Sequence, residues 1–207
     1  MNARGLTSLK QRVAREAAVL LYTSQEKEYK QAKQKAAENF GVRVLPSNSE
    51  IAKELDSLAD EIEGSARQER LLQMRREALK IMKALRDFHP RLIGSVWRGT
   101  AHKDSDIDIV TFSSEHASVL KKLEHEGFKV TKTEWQSAPK LDKKEKSFHI
   151  YLKLPSGNEA EVVVRSLERI NQKERCEIFG DTVIGLNTLQ LERLLEENPL
   201  QKFTPYP

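Results

Sequence analysis

Cysteine is nearly missing from this chain of 207 residues. The one thiol, Cys176, rules out an intrachain disulfide framework and fits a reducing compartment. A nucleophilic role would need a basic activating partner, and Glu174-Arg175-Cys176-Glu177 offers only Arg175, so a small packed or half-exposed thiol is expected. Aromatic residues make up only 6% of the chain, too few for an aromatic-rich stacking surface of the kind that binds single-stranded nucleic acid. Apolar runs long enough to cross a bilayer are absent, and the start Met1-Asn2-Ala3-Arg4-Gly5-Leu6 holds no signal-peptide core. A cytoplasmic location and no membrane partner are therefore expected. What the chain does have is charge, 32% of residues, beside 38% hydrophobic residues. That suffices for one sizeable core with an accessory helical layer, or for two small domains.

The charge is uneven. Residues 1 to 89 carry 17 Lys and Arg against 13 Asp and Glu, whereas residues 90 to 207 carry 18 of each, so the excess of +4 lies wholly in the first part. Such a bias suits a phosphate-rich partner and equally suits an ordinary solvated helix surface.

Helical spacing dominates the first part. Leu9, Val13, Ala17 and Leu20-Leu21, continued by Tyr22, Tyr29, Ala32 and Ala36, predict helix over 7 to 39 with a break near Thr23-Ser24. Pro46-Ser47-Asn48-Ser49-Glu50 reads as a loop and helix start, and Ile51, Leu55, Leu58 and Ile62 as the apolar face that follows. After Gly64-Ser65, a long helix is predicted over 66 to 87, stopped by His89-Pro90. These stripes are expected to pack a core or to meet a partner, a second copy of the chain included. From residue 91 the rhythm changes. Strands are predicted at 91 to 95, 106 to 112, 128 to 134, 147 to 154 and 159 to 165, with helices at 115 to 126, 167 to 177 and 187 to 197. Residues 136 to 147, with Lys140, Lys143, Lys144 and Lys146, read as a charged loop, more simply a solvated connector than a flap over a ligand.

The chemistry concentrates in Ser105-Asp106-Ile107-Asp108-Ile109-Val110. A strand with this alternation puts both carboxylates on one face and both isoleucines on the other. Two like charges so close repel unless a cation sits between them, and hard divalent ions want oxygen ligands of this kind. A Mg²⁺ site is the natural inference. Ten residues upstream lies Gly94-Ser95, led by Arg91-Leu92-Ile93. Gly94 has no Cβ to hold a phosphate away from the backbone, Ser95 offers a hydroxyl, and Arg98 offers a charged fork for phosphate oxygens. His102 and Lys103 are candidates for the same phosphates or for plain surface loop, and Trp97 is expected to bury against the sheet rather than flank a base.

Ile93-Gly94-Ser95, the Arg98-Gly99 pair, and Asp106-Ile107-Asp108 after ten intervening residues resemble the signature of the polymerase-β-like nucleotidyltransferases. The match is clear from about Leu92 to Val110 and weaker to about Glu196. The resemblance implies an α/β fold with a mixed, mostly antiparallel sheet, here preceded by an N-terminal helical region over 1 to 88, the nucleotidyltransferase domain filling 89 to 207. It also implies a third carboxylate on a later strand. Glu161, just before the apolar run Val162-Val163-Val164, is preferred to Glu159, which shares its strand face.

On this reading Asp106, Asp108 and Glu161 hold two Mg²⁺ ions, while Gly94, Ser95 and Arg98 hold the phosphate tail of a nucleoside triphosphate. A nucleoside monophosphate then passes to an acceptor hydroxyl with release of pyrophosphate. The acceptor is left open among RNA, protein and small molecule. The competing expectation is a non-catalytic nucleotide- or RNA-binding, antitoxin-like module on the same fold.

Overall fold

A computed structural model describes residues 3–138 and 145–206. The central charged loop expected at 136 to 147 lies largely outside the described residues. Its two ends are strand, since the flanking strands run on to Ala138 and start again at Glu145.

Two compact units make up the chain. One comprises residues up to Arg67, with Arg175–Asp181 and the C-terminal residues from Pro205; the other comprises Gln68–Glu174 and Thr182–Thr204.

The first unit is built on helices α1 (Ala3–Tyr22), α2 (Tyr29–Asn39) and α3 (Asn48–Glu63). The expected break near Thr23-Ser24 is present, with Ser24 in a left-handed conformation at φ 55. Val13, Ala17, Ala32, Ala36, Ile51 and Ala59 are among its buried core residues, the small alanines letting the helix backbones approach closely. Ser47 caps α3 by accepting from the Glu50 N–H while the Glu50 side chain accepts from the Ser47 N–H, which satisfies two orphan donors at the helix start. Ile62, expected on the apolar face of α3, points outward. The buried Arg67 meets the buried Asp56 carboxylate at 2.6 Å and the Asp56 carbonyl at 2.9 Å.

The second unit holds helix α4 (Ser65–Ala84), most of whose length lies in this unit, and a six-stranded sheet. Its strands are β1 (Arg91–Ile93), β2 (Ile107–Phe112), β3 (Lys129–Ala138), β4 (Glu145–Lys153), β5 (Glu159–Arg165) and β6 (Leu186–Asn187). They lie in the order β3-β4-β5-β2-β1-β6, and every pair is antiparallel except β2 with β5. Three more helices complete the unit: the short α5 (Gly94–Arg98), α6 (His116–His125) and α7 (Thr188–Glu197).

The two compact units divide at Arg67, ahead of the boundary expected at 88. Leu71, Met74, Ala78, Ile81, Met82 and Leu85 share one apolar core with Leu92, Ile107, Ile109, Ile150, Leu152 and Val162, so α4 closes over the sheet. Covering each such aliphatic side chain stabilises the unit by about 1.5–3 kcal/mol, which binds α4 to the strands more firmly than any sequence break separates them. The helix expected at 167 to 177 is corrected. A single turn, Leu167–Arg169, and a two-residue strand, Glu174–Arg175, form there instead: beyond the exposed Leu167 and the half-buried Ile170 the segment has no apolar stripe to bury.

One face of the sheet takes Ile107, Ile109, Ala160, Val162, Ile150 and Leu152 into the core. By strand alternation the opposite face receives Asp108 from β2, Glu159 and Glu161 from β5, and Ser147, His149 and Tyr151 from β4.

Candidate active site

Register decides which acids meet. In the parallel pair of β2 and β5, Asp108 lies directly across from Glu161, and Ile109 across from Val162. Neighbouring strands are about 4.8 Å apart, so side chains from facing positions on the same side converge. Asp106, just ahead of β2, completes the group: one carboxylate oxygen from each of Asp106, Asp108 and Glu161 lies within 4.8 Å of the others. Glu159, the other candidate, is exposed and pairs with Lys153 at 2.9 Å.

Gly94 packs against this group. β1 is antiparallel to β2 and sets Ile93 across from Asp108, which carries the next residue over the carboxylate. Gly94 adopts φ +70, and a Cβ there would stand 1.9 Å from Asp108 Oδ2. The glycine thus serves first to make room for Asp108, a tighter demand than the phosphate approach expected of it. Ser95 is half-buried beside it, and its hydroxyl has no hydrogen-bond partner among the described residues.

Arg98, expected to reach phosphate oxygens, bonds within the fold. It is buried, its Nη1 donates to the Phe203 carbonyl at 3.0 Å, and its guanidinium stacks 4.5 Å from the Trp97 ring centre. Trp97 is buried as expected, stacked on Phe203. The α5 turn is further held by Arg75, wholly buried on α4. Its guanidinium donates to the carbonyls of Val96 at 3.1 Å, Trp97 at 3.0 Å, Pro199 at 2.6 Å and Gln201 at 2.9 Å. Burial pulls this group down to about 10, still charged at neutral pH. His102 and Lys103 sit in a turn before β2, with the His102 N–H on Ser105 and Lys103 paired to Asp104.

Two residues that no sequence motif marks border Glu161. His149 Nδ1 is 2.7 Å from Glu161 Oε1, and its Nε2 is 2.7 Å from Ser147 Oγ. Tyr151 stands across β4 and β5 from Glu161 and donates to Glu134 at 2.8 Å. Burial, then hydrogen bonding to Glu134 and Glu161, raises the Tyr151 phenol. A signal was available: pairing outward from the turn at Pro155-Ser156-Gly157-Asn158 sets Lys153 across from Glu159 and Tyr151 across from Glu161.

The electrostatics are those of clustered anions. Desolvation, followed by the charges of Asp106 and Glu161, raises the Asp108 carboxyl well above its ordinary value. Desolvation also raises Asp106, with Glu161 and Glu159 adding to the rise against the pull of its own backbone N–H. Three carboxylates converging with, among the described residues, no cationic side chain to neutralise Asp106 and Asp108 form the donor set that a hard divalent ion takes, so these residues fit a bound Mg²⁺.

Residues 75–176 match the family model described as nucleotidyltransferase domain. Comparison with curated proteins finds no match. Among solved structures the chain is similar to a cytoplasmic RNA terminal U-transferase, at 18% identity and a TM-score of 0.32 over 56% of this chain and 34% of that one. It is also similar to the Cid1 poly(U) polymerase, at 18% identity and a TM-score of 0.29 over 55% of this chain and 36% of that one. Cid1 in complex with the UTP analogue UMPNPP gives 19% identity and a TM-score of 0.29 over 57% and 37%. The chain therefore spans little more than a third of the length of these structures. The Gly94-Ser95 turn, the Asp106/Asp108 pair and Glu161 all fall within the stretch that matches the nucleotidyltransferase-domain model.

Proposed function

We propose that the chain is a Mg²⁺-dependent nucleotidyltransferase that moves a nucleoside monophosphate from a nucleoside triphosphate to an acceptor hydroxyl and releases pyrophosphate. The observation that carries this reading is the convergence of Asp106, Asp108 and Glu161 within 4.8 Å, beside a glycine whose missing Cβ leaves Asp108 its place.

The roles follow from position. Asp106, Asp108 and Glu161 would hold the divalent metal, each offering a carboxylate oxygen. When bound, the metal supplies countercharge to the triphosphate and lowers the pKa of the attacking hydroxyl. The Ser95 hydroxyl, adjacent in sequence to Gly94 and without a hydrogen-bond partner among the described residues, is set to donate to the phosphate tail. Arg98 and Arg75 act as positioning residues that fix α5, and through it Gly94 and Ser95, from behind. No side chain is needed as a covalent nucleophile, since in-line displacement at the α-phosphorus asks for position and countercharge.

The test is incubation with labelled nucleoside triphosphates, Mg²⁺ and separate pools of RNA, protein and small-molecule acceptors. Transfer of label that disappears in Asp108→Ala supports the enzyme and names the acceptor class. Saturable nucleotide binding with no transfer to any pool would instead support a binding module on this fold.

A further inference from the structure

Glu161 has a clamp of its own. Its Oε1 lies 2.7 Å from His149 Nδ1, and the far ring nitrogen, Nε2, lies 2.7 Å from Ser147 Oγ, all on one face of β4 and β5. A carboxylate only accepts hydrogen bonds, so Nδ1 carries the proton on that contact, while the serine hydroxyl can serve Nε2 as donor or acceptor. His149 is buried, and the Ser147 contact fixes the plane of its ring. The pair spans β4 to β5 on the diagonal, His149 lying across from Val163 rather than from Glu161, so nothing in the backbone pairing alone demands the contact.

We propose that His149, held by Ser147, is a positioning residue that fixes the Glu161 carboxylate for the divalent cation. The role rests on the metal-site reading above. Glutamate has one more rotatable bond than aspartate, and an unsupported Glu161 would sample rotamers that carry its carboxylate away from Asp106 and Asp108. One oxygen engaged by Nδ1 leaves the second oxygen for the metal. Partners of this kind around ligating carboxylates orient the ligand, and losing one commonly weakens metal affinity by about 10–100-fold. Tyr151 borders the other flank of Glu161, but its hydroxyl is shared between Glu134, at 2.8 Å, and Glu161, so the 2.7 Å contact of His149 is the more direct restraint.

The experiment is Mn²⁺ titration of the full chain followed by electron paramagnetic resonance, with thermal melting of each variant alongside. His149→Phe keeps a ring but removes both nitrogens; His149→Asn keeps an N–H near the position of Nδ1. The expected result is Mn²⁺ affinity about tenfold weaker in H149F, restored to within about threefold of wild type in H149N, and intermediate in Ser147→Ala. Nucleotide KM should stay unchanged in H149F while the Mn²⁺ concentration needed for half-maximal transfer rises. Wild-type affinity in H149F, or equal losses in H149F and H149N, overturns the positioning role while leaving the metal site standing. No Mn²⁺ binding by the wild-type chain sinks the metal site and this role with it.

Discussion

Gly94 and Asp108 are fitted to each other: a methyl group on the first would occupy the space of a carboxylate oxygen on the second. Gly94→Ala therefore meets two obstacles at once, the clash and a φ of +70 that L-residues resist. The variant should displace Asp108, lose at least about tenfold in divalent-cation affinity, and unfold at lower denaturant by roughly 1–2 kcal/mol. Mn²⁺ titration and urea denaturation read the two effects separately.

The raised carboxyls give the site a pH signature. Asp108 and Asp106 hold protons to higher pH in the folded chain than in the unfolded one. Their contribution favours folding below the ordinary aspartate value of 3.8 and is lost as pH rises through the raised folded value. In EDTA, Asp108→Asn should thus melt above wild type at neutral pH, by about 2–4 °C per kcal/mol recovered. The gap should close on acidification. Added Mg²⁺ should raise the wild-type melting temperature and leave D108N almost unmoved.

Thr111 offers a test inside the core. It is fully buried on β2, and its hydroxyl is the one buried side-chain polar atom without a hydrogen bond among the described residues. Thr111→Val keeps the shape and removes the unsatisfied group, so stability should rise by about 1 kcal/mol, read as a higher urea midpoint with an unchanged slope.

Arg75 is the opposite case. Four backbone carbonyls accept from its guanidinium, which is wholly buried. Arg75→Met should leave those acceptors unpaired and cost roughly 3 kcal/mol or more. Arg75→Lys should recover only part, because an ammonium is a point donor and cannot span acceptors on two segments as a planar fork does.

How far the sequence foretells this can be followed residue by residue. Asp106 and Asp108 were legible because strand alternation is a local rule, and β5 falls at 159 to 165 as expected because a turn and an apolar run bracket it. Glu161 over Glu159 was legible only in part, since the choice depends on the parallel register with β2. His149 was hidden in the strand pattern Phe148-His149-Ile150-Tyr151-Leu152, where it reads as one polar member of an alternation; its meaning comes from a neighbouring strand. The contacts of Arg98 with Phe203 and Trp97 were not legible, because a residue type declares which bonds it can make and not which way it turns, and that direction comes from tertiary packing. The same holds for α4, whose stripe announces a buried face without saying against what.

Whether Asp106, Asp108 and Glu161 act together on a divalent cation is tested most directly by Mn²⁺ titration of single neutral variants. Asp106→Asn, Asp108→Asn and Glu161→Gln should each weaken Mn²⁺ binding by at least about tenfold, whereas Glu159→Gln, on the same strand face but paired with Lys153, should bind as wild type does. Wild-type affinity in all three variants, or a loss confined to Glu159→Gln, would contradict that joint role.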